Sequence, residues 1–116
     1  MPAPQADPVA RYADMLAAMG AEPRLRIVRL LLAAHPTGRA AGDIASELGI
    51  AASTLSHHLD RLKRELVIDV RREGTFLWYS VNTHALEGLL QFLYAECCTR
   101  SSVIAPARII RRQEVP

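Results

Sequence analysis

The sequence predicts a mainly α domain carrying one small β-hairpin, and three observations predict it. Apolar residues recur at helical spacing through most of the first 66 positions, the period switches to alternation between Val67 and Val81, and helical spacing returns from His84 onward. With 116 residues, about half of them apolar, the chain suits a single compact core and not two.

Each element has its own signals. Residues 1–6 read as a lead; Asp7 then serves as an N-cap with Pro8 at the first helical position, and Val9, Ala13, Leu16 and Met19 follow at helical spacing until Gly20. A second helix opens at Glu22 and Pro23, places Leu25, Val28, Leu31 and Leu32 among Arg24, Arg26 and Arg29, and ends at His35 and Pro36. Thr37 and Gly38 form a loop. A short third helix runs from Gly42 to Leu48, with Ile44, Ala45 and Leu48 inward and Gly49 as its stop. The fourth begins near Ser53 and carries Leu55, Leu59 and Leu62 on one face. Two helices joined by a tight, glycine-containing turn make a helix-turn-helix. Strand-like alternation from Val67 to Arg72 and from Thr75 to Val81 brackets a turn at Glu73 and Gly74, where glycine supplies the positive φ. Asn82 and Thr83 start a last helix reaching about Cys98, whose apolar face includes Leu86, Leu89, Leu90, Phe92 and Leu93. The order helix, helix, helix-turn-helix, hairpin, helix is a winged helix-turn-helix over residues 1–98, with residues 99–116 expected as a basic, flexible tail.

Charge narrows the function. The chain has 14 Lys and Arg against 12 Asp and Glu, but Arg100, Arg108, Arg111 and Arg112 lie in the tail with only Glu114. The remainder is close to neutral, so nucleic-acid binding has to rest on where the charges sit and not on bulk polycation character. No run approaches a membrane helix, and residues 1–8 lack a secretory signal, so a cytoplasmic protein that does not engage membranes is expected. An enzyme is not expected: His35, His57, His58 and His84 lack an acid–nucleophile arrangement, and no glycine-rich phosphate loop is present.

With its leucines inward, the fourth helix turns Ser53, Thr54, Ser56, His57, Asp60, Arg61 and Arg64 outward. Short hydroxyls and an imidazole at a helix N-terminus, with cations further along, suit a major groove. Arg71 and Arg72 flank the hairpin tip, where a wing touches the neighbouring DNA backbone or minor groove. The candidate DNA-binding residues are therefore Ser53, Thr54, Ser56, His57, Arg61, Arg64, Arg71 and Arg72. His58 borders the leucine stripe and reads as half-buried. The competing reading of these groups is a merely solvated polar face, in which case the winged helix would be a protein-interaction module.

The run Ser53, Thr54, Leu55, Ser56, His57, His58, Leu59, Asp60, Arg61, Leu62, followed by Arg71, Arg72, Glu73, Gly74 and by Trp78, Tyr79, resembles the ArsR/SmtB metalloregulators of bacteria over roughly residues 10–98. The resemblance implies a repressor that leaves its operator DNA when an effector binds. It also implies a glycine where Leu66 stands, closing the reading helix in a left-handed conformation that leucine disfavours.

More apolar surface is present on the first and last helices than the central elements need. Packing them against a second copy gives a homodimer whose two reading helices meet successive major grooves about 34 Å apart.

The effector site follows from the resemblance and from sulfur chemistry together. The cysteine-rich site that relatives carry at the third helix is absent, since Arg39 to Asp43 offers no thiol. The zinc-type site of the last helix is incomplete, because Asn82 and Ala95 replace an acid and an imidazole and leave His84 and Cys98. Cys97 and Cys98 remain, and the pair resembles the arsenical-responsive branch. Two adjacent free thiols suit trivalent arsenic, as arsenite or methylarsenite, and no resident cofactor is required. Neighbouring helical residues point about 100° apart, so chelation requires the last turn to open. A redox or persulfide switch, other soft metals such as Cu(I) or Cd(II), and an inert pair are the alternatives.

Overall fold

A computed structural model describes residues 7–98 of the chain. Five helices and three strands succeed one another: α1 (Pro8–Met19), α2 (Glu22–Ala33), β1 (Arg39–Ala40), α3 (Ala41–Leu48), α4 (Ala52–Arg64), β2 (Ile68–Glu73), β3 (Phe76–Val81) and α5 (Thr83–Cys98). This is the winged helix-turn-helix order, with one strand more than the sequence announced. The expected tail, 99–116, lies outside the described residues.

Local chemistry sets the helix ends. The Asp7 carboxylate accepts the Val9 N–H at 3.0 Å, and Pro8 sits where a missing N–H costs nothing. At the other end of α1, the Arg24 Nε–H donates to the Ala18 carbonyl, one of the acceptors a helix C-terminus leaves open. Gly49 closes α3 in the left-handed region at φ 64°. Leu66 does the same for α4 at φ 62°, without being glycine. Two hydrogen bonds hold it there, Leu66 N–H to the Lys63 carbonyl and Val67 N–H to the Leu62 carbonyl, each 3.0 Å. That is the paired closure of a Schellman motif, and the flanking Leu62 and Val67 are both buried. The conformation that leucine disfavours is thus adopted and held by its surroundings.

The sheet runs in the order β1-β3-β2, antiparallel throughout. β1 pairs Arg39 with Tyr79 and Ala40 with Trp78. Gly38 leads into it at φ 85°, and a Cβ there would overlap the Tyr79 carbonyl, so only glycine allows the backbones so close. Arg39 also bridges to Glu47 at 2.5 Å, joining β1 to α3. The hairpin pairs Glu73 with Phe76, leaving Gly74 and Thr75 as its two-residue turn, one position later than the sequence reading placed it.

Residues up to Thr83 form one compact unit, and a second begins at His84. The core of the first collects Met15, Ala18, Ile27, Val28, Leu31, Ile44, Leu55, Leu59, Leu62, Val67, Ile68 and Val81. On α1 this differs from the sequence reading: Met15 and Ala18 point inward, while Val9 and Leu16 of the expected stripe are exposed. On α2, Ile27 packs inward with Val28 and Leu31, whereas Leu25 and Leu32 face out. In the second unit, α5 leaves Leu90, Leu93 and Tyr94 exposed.

Candidate nucleic-acid interface

α4 is fixed by its leucines. Leu55, Leu59 and Leu62, at i, i+4 and i+7, are 2%, 2% and 0% exposed, so the helix cannot turn about its axis without uncovering them. At 100° per residue, the side opposite carries Ser53, His57, Asp60 and Arg64, with Ser56 at their edge, and all five are exposed. Thr54 is exposed on one flank. The N-cap is Ala51, which offers no side-chain acceptor, so the first-turn N–H groups lack a capping partner from that residue. Hydroxyls, an imidazole and outward N–H groups thus occupy one end of the surface, and Lys63 and Arg64 the other. This arrangement can donate to phosphates and to base-edge acceptors.

One sequence-predicted residue stands apart from the rest. Arg61 lies on the flank of α4, half-buried, with its Nε buried and without a hydrogen-bond partner among the described residues. His58 is half-buried. On the other flank, Ser56 lines a cleft of about 120 Å³ with Ala41, Gly42, Ala45, Ala52 and Tyr79. Burial raises the Tyr79 phenol above its ordinary pKa, and the nearby Asp60 carboxylate adds to the shift.

The hairpin sorts its own residues by alternation. Arg71, Glu73, Phe76 and Trp78 share one face, and Arg72 and Leu77 the other. The Arg71 guanidinium lies over the Trp78 ring and donates to Glu73, whereas Arg72 is exposed with no ion pair among the described residues. Phe76 is among the most exposed large apolar residues, at 62%. On α5, the Cys97 thiol is half-buried and donates to the Tyr94 carbonyl at 3.4 Å. Cys98 ends the helix. Among the described residues, no three His, Cys, Asp or Glu side chains gather into a metal site. Among them, too, no helix is long and apolar enough to cross a membrane.

This geometry has counterparts. A helix-turn-helix domain family matches residues 19–71. The transcriptional repressor SdpR of Bacillus subtilis is 39% identical over 70 residues, which span 60% of this chain and 74% of that protein. A homodimeric winged helix-turn-helix DNA-binding domain from Mycobacterium bovis, given as a possible ArsR-family transcriptional regulator, superposes with a TM-score of 0.62 at 27% identity over 84% of this chain and 90% of that one. The chain belongs to the ArsR/SmtB family. As a member it is a DNA-binding transcriptional regulator of the winged helix-turn-helix type. A second solved structure, reduced HlyU from Vibrio cholerae, has a TM-score of 0.62 at 26% identity and covers 78% of this chain and 93% of that one. HlyU is a transcriptional activator, and SdpR a repressor.

Sequence reasoning placed the outward stripe of α4 and the wing arginines, and the structure brings Ser53, Ser56, His57 and Arg64 onto one face. It missed β1, whose two residues carry no period to read. It also gave Arg71 and Arg72 equal standing. The one available signal for their difference was the alternation itself, which sets Arg71 beside Glu73 and opposite Trp78.

Proposed function

We propose that this regulator is a homodimeric repressor that holds duplex operator DNA through Ser53, Thr54, Ser56, His57, Arg61, Arg64, Arg71 and Arg72, and that it releases the DNA when a trivalent arsenical binds Cys97 and Cys98. The observation that carries the DNA half is the stripe of α4: its polar side is exposed because three buried leucines hold the opposite side inward. The Mycobacterium bovis relative, a homodimeric DNA-binding domain, supports assembly as a pair. The exposed Val9 and Leu16 on α1, and Leu90, Leu93 and Tyr94 on α5, supply the apolar surface for it.

Chemistry supports the effector half. Trivalent arsenic is a soft acceptor that bonds thiolate sulfur, and adjacent cysteines present two such atoms on one segment. Neighbouring positions of a helix are about 100° apart, so binding both sulfurs requires the last turn of α5 to open. Methylarsenite needs two sulfurs; arsenite needs a third ligand from hydroxide, a small thiol or the partner subunit.

A second reading, a thiol oxidation switch on the same pair, is favoured by the likeness to a HlyU structure described as reduced. One experiment separates the two. A duplex enriched from a random library is bound by the full chain and titrated with methylarsenite, with arsenite and with a mild oxidant. The arsenical reading expects release by the arsenicals that Cys97→Ser and Cys98→Ser each abolish; release by the oxidant alone replaces it with the redox reading. Binding that does not weaken as salt rises would contradict the DNA reading itself.

A further inference from the structure

We infer that Asp60 selects a base: its carboxylate accepts a hydrogen bond from the exocyclic amino group of a cytosine in the major groove. The inference rests on the DNA-reading role of α4 proposed above and adds the base that one of its side chains specifies.

Ser53, Ser56, His57 and Asp60 stand at i, i+3, i+4 and i+7, the spacing that puts four side chains in one stripe along a helix. All four are exposed, and the buried Leu55, Leu59 and Leu62 fix the stripe outward. Any duplex that meets the two serines and His57 therefore meets Asp60 one turn further on. Its field reaches the Tyr79 phenol, but the carboxylate is in no ion pair among the described residues. Arg64 lies four residues on, at the spacing of a helical ion pair, yet no ion pair joins the two.

An ionised carboxylate only accepts hydrogen bonds. Phosphate oxygens repel it. In the major groove guanine shows it two acceptors and thymine one, and adenine sets the N7 acceptor beside its amino donor. Cytosine is the one base whose own major-groove edge carries an amino donor and no acceptor. A negative charge in the middle of a DNA-facing stripe is thus tolerated by one base and opposed by the other three, which makes it a selector even though it weakens attraction to the backbone.

The test is sequence enrichment from a random duplex library with the full chain, comparing wild type, Asp60→Ala and Asp60→Asn at one salt concentration. Asp60 is exposed, so both variants should unfold at the wild-type temperature, which is checked alongside. Wild type is expected to enrich a C·G pair at one position in each half-site, and replacing that pair should weaken binding about tenfold per half-site. Asp60→Ala should erase the preference at that position alone, and Asp60→Asn should move it toward adenine, which a carboxamide matches in two places. An Asp60→Ala chain that keeps the same base preference overturns the inference. So does one that gains affinity for all duplexes equally while losing no preference, because the carboxylate would then only repel phosphates. If folded wild-type protein enriches no sequence, the reading role of α4 fails, an outcome distinct from the loss of one position.

Discussion

The guanidinium of Arg71 lies 5.8 Å from the centroid of the Trp78 ring, across a ladder in which the two are register partners, and it donates to Glu73 at 3.0 Å. The two wing arginines are therefore unlike. Arg71 shares its charge with an aromatic face and an acid, whereas Arg72 meets neither on its own side of the hairpin.

Arg72 should carry the wing's bond to phosphate. Replacing it with alanine is expected to weaken duplex binding and reduce the slope of log K against log salt by about 0.9 for each phosphate it neutralises. Arg71→Ala should change the slope less, because its charge is already matched by Glu73. Fluorescence anisotropy of a labelled duplex over a salt series measures both.

Leu66 should be a point of stored strain. A left-handed leucine costs about 1–2 kcal/mol relative to helical backbone, a cost that glycine avoids while losing more chain entropy on folding. Leu66 is also half exposed, so little burial is forfeited with its side chain. Leu66→Gly is expected to stabilise the fold by roughly 0.5–1 kcal/mol, read as a higher urea midpoint at unchanged m-value. A lower midpoint would mean that the side chain contributes more than its backbone costs.

The fold and the exposed polar side of α4 were legible because their signals are local. Asp7 with Pro8, Gly49, and the leucine period of α4 each act within one or two turns, and the structure uses them as read. Burial on α1 was not legible. Val9, Ala13, Leu16 and Met19 and the pair Met15 and Ala18 both satisfy helical spacing, and only tertiary packing chooses between them. Leu66 shows the converse: a local preference against φ 62° is overridden by two hydrogen bonds and two buried neighbours. Strand β1 is held by pairing to β3 and by Gly38, neither of which is visible in two residues.

In the proposed dimer, exposed Val9 and Leu16 on α1 and Leu90 and Leu93 on α5 should hold the two copies together. Leu16→Glu and Leu90→Glu, at positions 46% and 65% exposed, are expected to leave the unfolding temperature of dilute protein little altered while shifting sedimentation to a monomer. Operator affinity should then fall by roughly 10²-fold or more, the loss expected when two linked sites bind separately. Unchanged sedimentation in both variants would place the interface elsewhere.

His57 should act on DNA and not on the fold. It is exposed, on the outward side of α4, so His57→Ala is expected to leave thermal unfolding unaltered and to weaken binding to the enriched duplex by about 5-fold or more. Affinity for unrelated duplex should move far less, which a competition assay reports directly.

Entry of the polar side of α4 into the major groove is read residue by residue in backbone-amide NMR of the labelled chain titrated with the enriched duplex. The largest shifts are expected at Ser53, Thr54, Ser56, His57 and Asp60, with a second group around Arg72 and little change near Leu25 and Arg29 on α2. Stationary α4 resonances, with the shifts gathered on α2 instead, would contradict it.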